Sequence, residues 1–249
     1  KDKNSKNIEF KDVSFTYPQT GIKVFNSFNL KIEKEKTLGI VGKVGSGKTT
    51  LLDLICRVYD PNEGSISYDK NDIKSFKINN LRELFSYVPQ NNFLFSDSIF
   101  KNIQFGNPNA TESEVEEAAK LSEIDSEIAK FENGYKTILG ERGVTLSGGQ
   151  VQRVSIARSF VKDSALYLFD DCFSSLDTDT EERLIKNLKN NFKNKSVIIV
   201  SHRVSCVKHA DKIIVLENGK IIQEGTHKNL IKIDGYYKEL YNKQNSEIT

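Results

Sequence analysis

At 249 residues the chain has the length of one elaborated α/β domain, and with 37% hydrophobic residues its apolar runs recur often enough to build a core. The 36 Lys and Arg nearly balance the 34 Asp and Glu, leaving a net charge of +2 and no basic stripe, which argues against a nucleic-acid partner. Cys56, Cys172 and Cys206 stand far apart without a CxxC pair, so neither a disulfide framework nor a zinc site is expected, and a reducing compartment fits. The longest apolar runs, such as Val197–Val200 and Ile213–Leu216, fall far short of the roughly 20 residues that span a bilayer. No secretory signal is visible at the start, and the absence of Met, even at position 1, leads to the expectation of a piece cut from a longer protein.

Residues Ile8–Tyr17 and Phe28–Ile32 alternate apolar and polar, the period of half-exposed antiparallel strands. The apolar run Leu38–Val41, a glycine-rich turn and the helical spacing of Thr49–Val58 follow, the opening of a parallel α/β unit. Thr111-Glu-Ser-Glu114 is a capping box ahead of Val115, Ala118 and Ala119 at helical spacing, and Ile124, Ile128 and Phe131 suggest another short helix. Residues 91–160 therefore read as a helical insertion. Ala165–Phe169 and Ser196–Val200 are apolar runs of the kind buried on both faces of a parallel sheet. Asn218-Gly219 marks a hairpin between Ile213–Leu216 and Lys220–Gln223, and the tail after Asp234 is helical or frayed.

Gly42-Lys43-Val44-Gly45-Ser46-Gly47-Lys48-Thr49 fits G-x-x-x-x-G-K-[ST] and lies between a strand and a helix, as the chemistry requires. Glycines let the backbone curl until successive N–H groups face phosphate oxygens, and the helix N-terminus adds partial positive charge. Lys48 is expected on the β- and γ-phosphates and Thr49 on Mg²⁺, with Thr50 beside them in the nucleotide site. Such sites need a carboxylate ending a neighbouring buried strand to hold Mg²⁺ through water. Leu166-Tyr167-Leu168-Phe169-Asp170 supplies it.

Leu146-Ser147-Gly148-Gly149-Gln150 resembles the signature of the ABC transporter ATPases, and the resemblance runs from about Ile8 to Tyr241 with each motif in family order. Ser147 and Gln150 form a capping box for a helix whose buried face would use Val154, Ala157 and Val161. An ordinary capped helix would account for Ser147 and Gln150 but not for Gly148 and Gly149, each of which costs helix stability. They leave bare a helix start of the kind that binds anions.

The resemblance implies a P-loop NTPase (RecA-like) core with an N-terminal antiparallel β subdomain, residues 1–90 and 161–249, and an inserted helical signature subdomain, 91–160. It implies ATP and Mg²⁺ as ligands, and hydrolysis coupled to transport. Two such domains would pair head to tail, each signature closing over its partner's nucleotide. It places Tyr17 on adenine, although an alternating strand could equally make Tyr17 a packing residue. Gln90 matches the glutamine that links Mg²⁺ and attacking water to a membrane domain, and His202 matches the histidine that senses γ-phosphate. His209 and His227 read as surface residues. Ser174-Ser175-Leu176-Asp177 resembles the loop through which paired domains communicate. Phe93-Leu94-Phe95-Ser96 and Gly140-Glu141-Arg142-Gly143 are similar to exporter segments facing a membrane domain, so the chain's own membrane-spanning domain, expected upstream, would dock on residues 91–145, at the cytoplasmic face of a membrane.

One position departs from the family pattern. Asp171 stands where the family usually has Glu, the residue that orients and helps deprotonate the attacking water. The run Asp170-Asp171-Cys172-Phe173-Ser174-Ser175-Leu176-Asp177 resembles one half of heterodimeric multidrug exporters with one weak ATP site. A regulatory module that scarcely hydrolyses and a stand-alone importer ATPase are the alternatives. DNA-repair and translation relatives fit less well, because a single cradle is present and no heptads intervene before the signature.

Overall fold

The computed structural model describes residues 6–140 and 144–246. Its chain runs β1 (Ile8–Thr16), β2 (Lys23–Ile32), β3 (Thr37–Gly42), α1 (Lys48–Ile55), β4 (Glu63–Tyr68), β5 (Asn71–Asp72), α2 (Ile78–Glu83) and β6 (Phe85–Val88). The middle part is helical: α3 (Ile99–Gln104), α4 (Glu112–Leu121), α5 (Asp125–Ile128) and α6 (Gly148–Phe160). Then come β7 (Leu166–Asp170), α7 (Thr178–Asn191), β8 (Ser196–Val200), α8 (Val204–Val207), β9 (Lys212–Glu217), β10 (Lys220–Gly225), α9 (His227–Leu230) and α10 (Tyr236–Ser246).

Two compact units result. Among the described residues, the first takes in those up to Phe85, Ser164–Asp170, and those from Lys193 on; the second takes in those within Ser86–Asp163 and Asp171–Phe192. The first unit carries two sheets. In the smaller, of order β2-β1-β4-β5, β1 is antiparallel to both β2 and β4. The alternation of β1 buries Ile8, Phe10, Val13 and Phe15. Its register shifts after Phe10, where Asp12 and Ser27 take left-handed backbone conformations (φ 50° and 49°), the local signature of a bulge. The strand β2 begins at Lys23, five residues ahead of the alternating run that announces it, and β4 and β5 go unannounced.

In the larger sheet of the first unit β10, β9, β3, β8 and β7 lie side by side in that order; β3 lies parallel to β8 and β9, and β7 parallel to β8. Every residue of β7 and β8 is buried, as uninterrupted apolar runs demand in a covered parallel sheet. The hairpin of β9 and β10 turns at Asn218-Gly219, both at positive φ. The helix α1 stops at Ile55 rather than Val58 because Arg57 enters the left-handed region at φ 52°.

In the second unit both anticipated capping boxes form, Thr111 with Glu114 at α4 and Ser147 with Gln150 at α6. The expected face of α6 (Val154, Ala157, Val161) is buried, and so are Gln152, Arg153, Ser155 and Ser159 on its other sides. The amphipathic helix α7 buries Leu184, Ile185 and Leu188 behind an Asp177 cap and was not anticipated. Among the described residues no helix is long and apolar enough to cross a membrane.

Candidate nucleotide-binding site

The cradle belongs to the first unit. Strand β3 delivers the chain to Gly42, the loop turns through Gly45 (φ 80°), and Gly47 at φ 103° forms the N-cap of α1. Gly47 has two reasons to be glycine: the left-handed φ, and Val24 Cγ1, which would lie 2.8 Å from any Cβ there. The loop is braced from outside by the β9–β10 hairpin. Gly219 donates its N–H to the Ser46 carbonyl (3.2 Å), and Glu217 accepts from Lys43 Nζ (3.0 Å), whose ammonium also lies over the Tyr236 ring.

Lys48 is buried, and its Nζ donates to the carbonyls of Gly42 and Lys43, each at 2.8 Å, so the ammonium is folded into the loop. Ser46 Oγ is buried with no hydrogen-bond partner, whereas Thr49 is exposed at the rim with Val44. A buried ammonium, an orphaned hydroxyl and a bare helix start fit a polyanion that brings its own acceptors. Asp170, 3% exposed at the end of β7, and the half-buried Asp53 one turn into α1 place two carboxylates in this region. Burial, and next the charge of Asp170, push Asp53 up to about 6. Among the described residues no three His, Cys, Asp or Glu side chains converge on a point.

Tyr17 reaches the same helix. Its hydroxyl is 2.8 Å from Thr50 Oγ1, and its ring packs edge-on against Phe15 and Tyr59 at 5.0 and 5.4 Å. The ring remains half-exposed, and burial raises its hydroxyl above the usual phenol range. His202, two residues past β8, is half-buried; His209 is exposed. His227 departs from its surface assignment: it is half-buried, with Nδ1 2.9 Å from Tyr237 Oη, because α9 packs under α10.

The second unit carries the remaining predicted residues. Gln90 Nε2 donates to Asp171 Oδ2 at 3.4 Å, and Asp171 is 8% exposed with a left-handed backbone (φ 47°). The signature is held from beneath by a network invisible in the sequence. Ser147 Oγ accepts from the Gln150 N–H, and Gln150 Oε1 accepts from the Ser147 N–H, completing the capping box. Gln150 Nε2 donates to Glu127 (2.8 Å), whose other oxygen accepts from Arg153 at 2.6 Å; Arg153 also donates to the carbonyls of Gly149 and Glu123. Burial pulls Glu127 upward, but the Arg153 and Gln150 hydrogen bonds outweigh it and leave its carboxyl below the usual range. Gly148 and Gly149 face the Ser174–Asp177 loop, whose Ser175 N–H donates to Gln152.

On the same unit Phe93, Phe95, Phe105 and Ile138 are exposed. Arg158 lies over the Phe95 and Phe105 rings at 5.4 and 5.7 Å, and the fully buried Asn102 ties down both backbone groups of Phe95. Gly140 packs against Ser96, bringing the two exporter-like segments together; Glu141, Arg142 and Gly143 lie outside the described residues.

The strand–loop–helix cradle, with a buried carboxylate ending a nearby parallel strand, defines a P-loop ATPase. The match to the ABC transporter family covers residues 25–174. The chain belongs to that family, and its part in it is the ATPase domain of the exporter type. It is 45% identical over 235 residues to ABC transporter B family member 14 of Arabidopsis thaliana, covering 94% of this chain and 19% of that protein. It is 40% identical over 237 residues to the probable multidrug resistance ABC transporter ATP-binding/permease protein YheI of Bacillus subtilis (strain 168), covering 95% and 40%. A structure of a bacterial Atm1-family ABC exporter with ATP bound superimposes with a TM-score of 0.91 at 36% identity, over 97% of this chain and 42% of that one. The chain thus spans between about a fifth and two fifths of the curated relatives it matches.

Proposed function

We propose that the chain binds Mg·ATP in the Gly42–Thr50 cradle and, paired head to tail with a second such domain, couples ATP hydrolysis to export by a membrane-spanning domain. The membrane region would belong to the same or an associated protein and would dock on residues 91–145. The observation that carries the reading is the cradle itself: buried Lys48 folded onto loop carbonyls, beside a buried Ser46 hydroxyl without a partner. Bound Mg²⁺ would neutralise the β- and γ-phosphate charge. Lys48 would swing its ammonium from the loop carbonyls to those phosphates, and Thr49, Asp170 and Gln90 would hold the ion. Tyr17 would cover the adenine, while Gln90 and Asp171 orient the attacking water and His202 contacts the γ-phosphate. The start of α6, where Ser147 and Gly148 are exposed, supports pairing, because it offers an anion site remote in sequence from the cradle. The aromatic face around Phe95 supports docking of the membrane domain and a location at the cytoplasmic face of a membrane.

A slow site is favoured by Asp171. Its carboxylate is one methylene shorter than the Glu usual in the family and retreats by about 1.5 Å, enough to spoil water positioning. The chain would then be one half of a heterodimer, holding ATP in its own cradle while its signature completes the partner's site. Single-turnover hydrolysis in the assembled protein, with each cradle disabled in turn, tests this. The proposal expects slow turnover here and acceleration by Asp171→Glu. Turnover equal to the partner's in the wild type would refute the slow site. Cysteines introduced at Ser46 and Ser147 are expected to crosslink two chains only with ATP; equal crosslinking without nucleotide would contradict head-to-tail pairing.

A further inference from the structure

The backbone around His202 is gripped by a side chain that the nucleotide reading does not use. Gln244, half-buried near the end of α10, donates Nε2–H to the His202 carbonyl at 2.6 Å and accepts the Val204 N–H on Oε1 at 2.8 Å. One planar amide therefore spans residues i and i+2 of the loop, as a neighbouring strand would. Val204 opens α8, whose N-cap Arg203 supplies no side-chain cap, so an otherwise orphaned N–H at a helix start is satisfied from another element. The strut that presents Gln244 is itself fixed. Tyr237 is fully buried, its N–H donates to Gln223 Oε1 (3.1 Å), and its hydroxyl meets His227 Nδ1. Tyr241, one turn on, packs edge-on against the His227 ring.

We propose that Gln244 is a positioning residue for His202: the C-terminal helix, through one amide, sets the backbone orientation from which the imidazole meets the γ-phosphate end of bound ATP. The inference rests on the reading of His202 as a γ-phosphate contact. Without the amide, a carbonyl and an N–H lose their partners and residues 202–204 gain rotational freedom. The cost falls on the step that needs the imidazole in place, whereas nucleotide affinity remains with the loop at 42–50.

The hydrolysis rate constant kcat at this chain's own cradle, measured in the assembled protein with the second cradle disabled, together with ATP affinity and thermal unfolding, tests this for Gln244→Ala, Gln244→Glu, His202→Ala and the double variant His202→Ala/Gln244→Ala. Misplacing a reacting contact by an ångström costs up to about a hundredfold, so Gln244→Ala is expected to lower kcat about ten- to hundredfold with ATP affinity within about twofold of wild type. Gln244→Glu keeps the shape and the acceptor but loses the donor to the His202 carbonyl; it should be slowed as much while unfolding near the wild-type temperature, which keeps the test usable if the Ala variant folds poorly. The double variant should be no slower than His202→Ala alone. Wild-type kcat in both Gln244 variants, or additive losses in the double variant, overturns the positioning role while leaving the nucleotide reading intact. Wild-type turnover in His202→Ala overturns the reading of His202, and the positioning role with it.

Discussion

Removing either partner of the Glu127–Arg153 pair should loosen the signature, and the structure sets the size of the effect. Arg153→Ala deletes donors to Glu127 (2.6 Å), the Glu123 carbonyl (2.8 Å) and the Gly149 carbonyl (3.2 Å). Glu127→Ala deletes the acceptor of Arg153 and of Gln150, but leaves Arg153 its two carbonyls. Charge-assisted hydrogen bonds are worth about 1.5–3 kcal/mol, and a fully buried pair broken on one side costs about 3–5 kcal/mol. The side chains are 11% and 29% exposed, so solvent reduces these figures. Arg153→Ala is expected to cost about 3 kcal/mol, Glu127→Ala about 2, and the double-mutant cycle should return a coupling of about 1.5. Urea unfolding at pH 7 measures all three. The pH dependence follows from the lowered carboxyl of Glu127: its stabilisation is complete above the unfolded-state value and is lost as pH falls through the folded one. The coupling should therefore shrink in acid. A coupling below about 0.5 kcal/mol at pH 7, or one indifferent to acid, would refute the reasoning.

Further substitutions probe other features. Gly148→Ala should be neutral or stabilise by up to about 1 kcal/mol, because its Cβ would meet nothing closer than Ser175 Oγ at 3.7 Å. Gly149→Ala should destabilise, since its Cβ would lie 3.0 Å from the Ser175 carbonyl; equal thermal shifts would sink the distinction. Asp53, raised to about 6, holds a proton in the folded state that the unfolded chain releases nearer pH 4. Stability should therefore fall as pH rises from about 4 to 6 and level off above, and Asp53→Asn should remove that slope and stabilise by about 1 kcal/mol at pH 7, allowing for its partial exposure. A slope unchanged in the variant would assign it to another group.

What was legible in the sequence was local. The cradle announces itself because a strand, a glycine turn and Lys-Thr occupy twelve consecutive positions, Leu38 to Thr49, and the capping boxes of Thr111 and Ser147 are complete within four residues each. Leu166–Phe169 of β7 and Val197–Val200 of β8 run without a charged residue because every residue of these strands is buried. What stayed hidden depends on partners distant in sequence. The strand β4 alternates only over Ser65–Tyr68, a stretch too short to stand out, and it is fixed as a strand by pairing with β1 some 60 residues away, Ile8 opposite Tyr68. Glu127 and Gln244 look like ordinary surface polars until folding brings them to Arg153 and to the loop at His202. Two signals could have been read: Leu184, Ile185 and Leu188 at helical spacing after the Asp177 cap, and Asp53 one turn past Thr49 on the helix that leaves the cradle.

The central claim is that the loop from Gly42 to Thr50 holds ATP, and calorimetric titration of Mg·ATP into wild type and Lys48→Ala tests it most directly. Losing one charge-assisted contact, about 1.5–3 kcal/mol, predicts at least a tenfold weaker Kd for the variant at unchanged stoichiometry. Equal affinity in the two proteins would contradict the account.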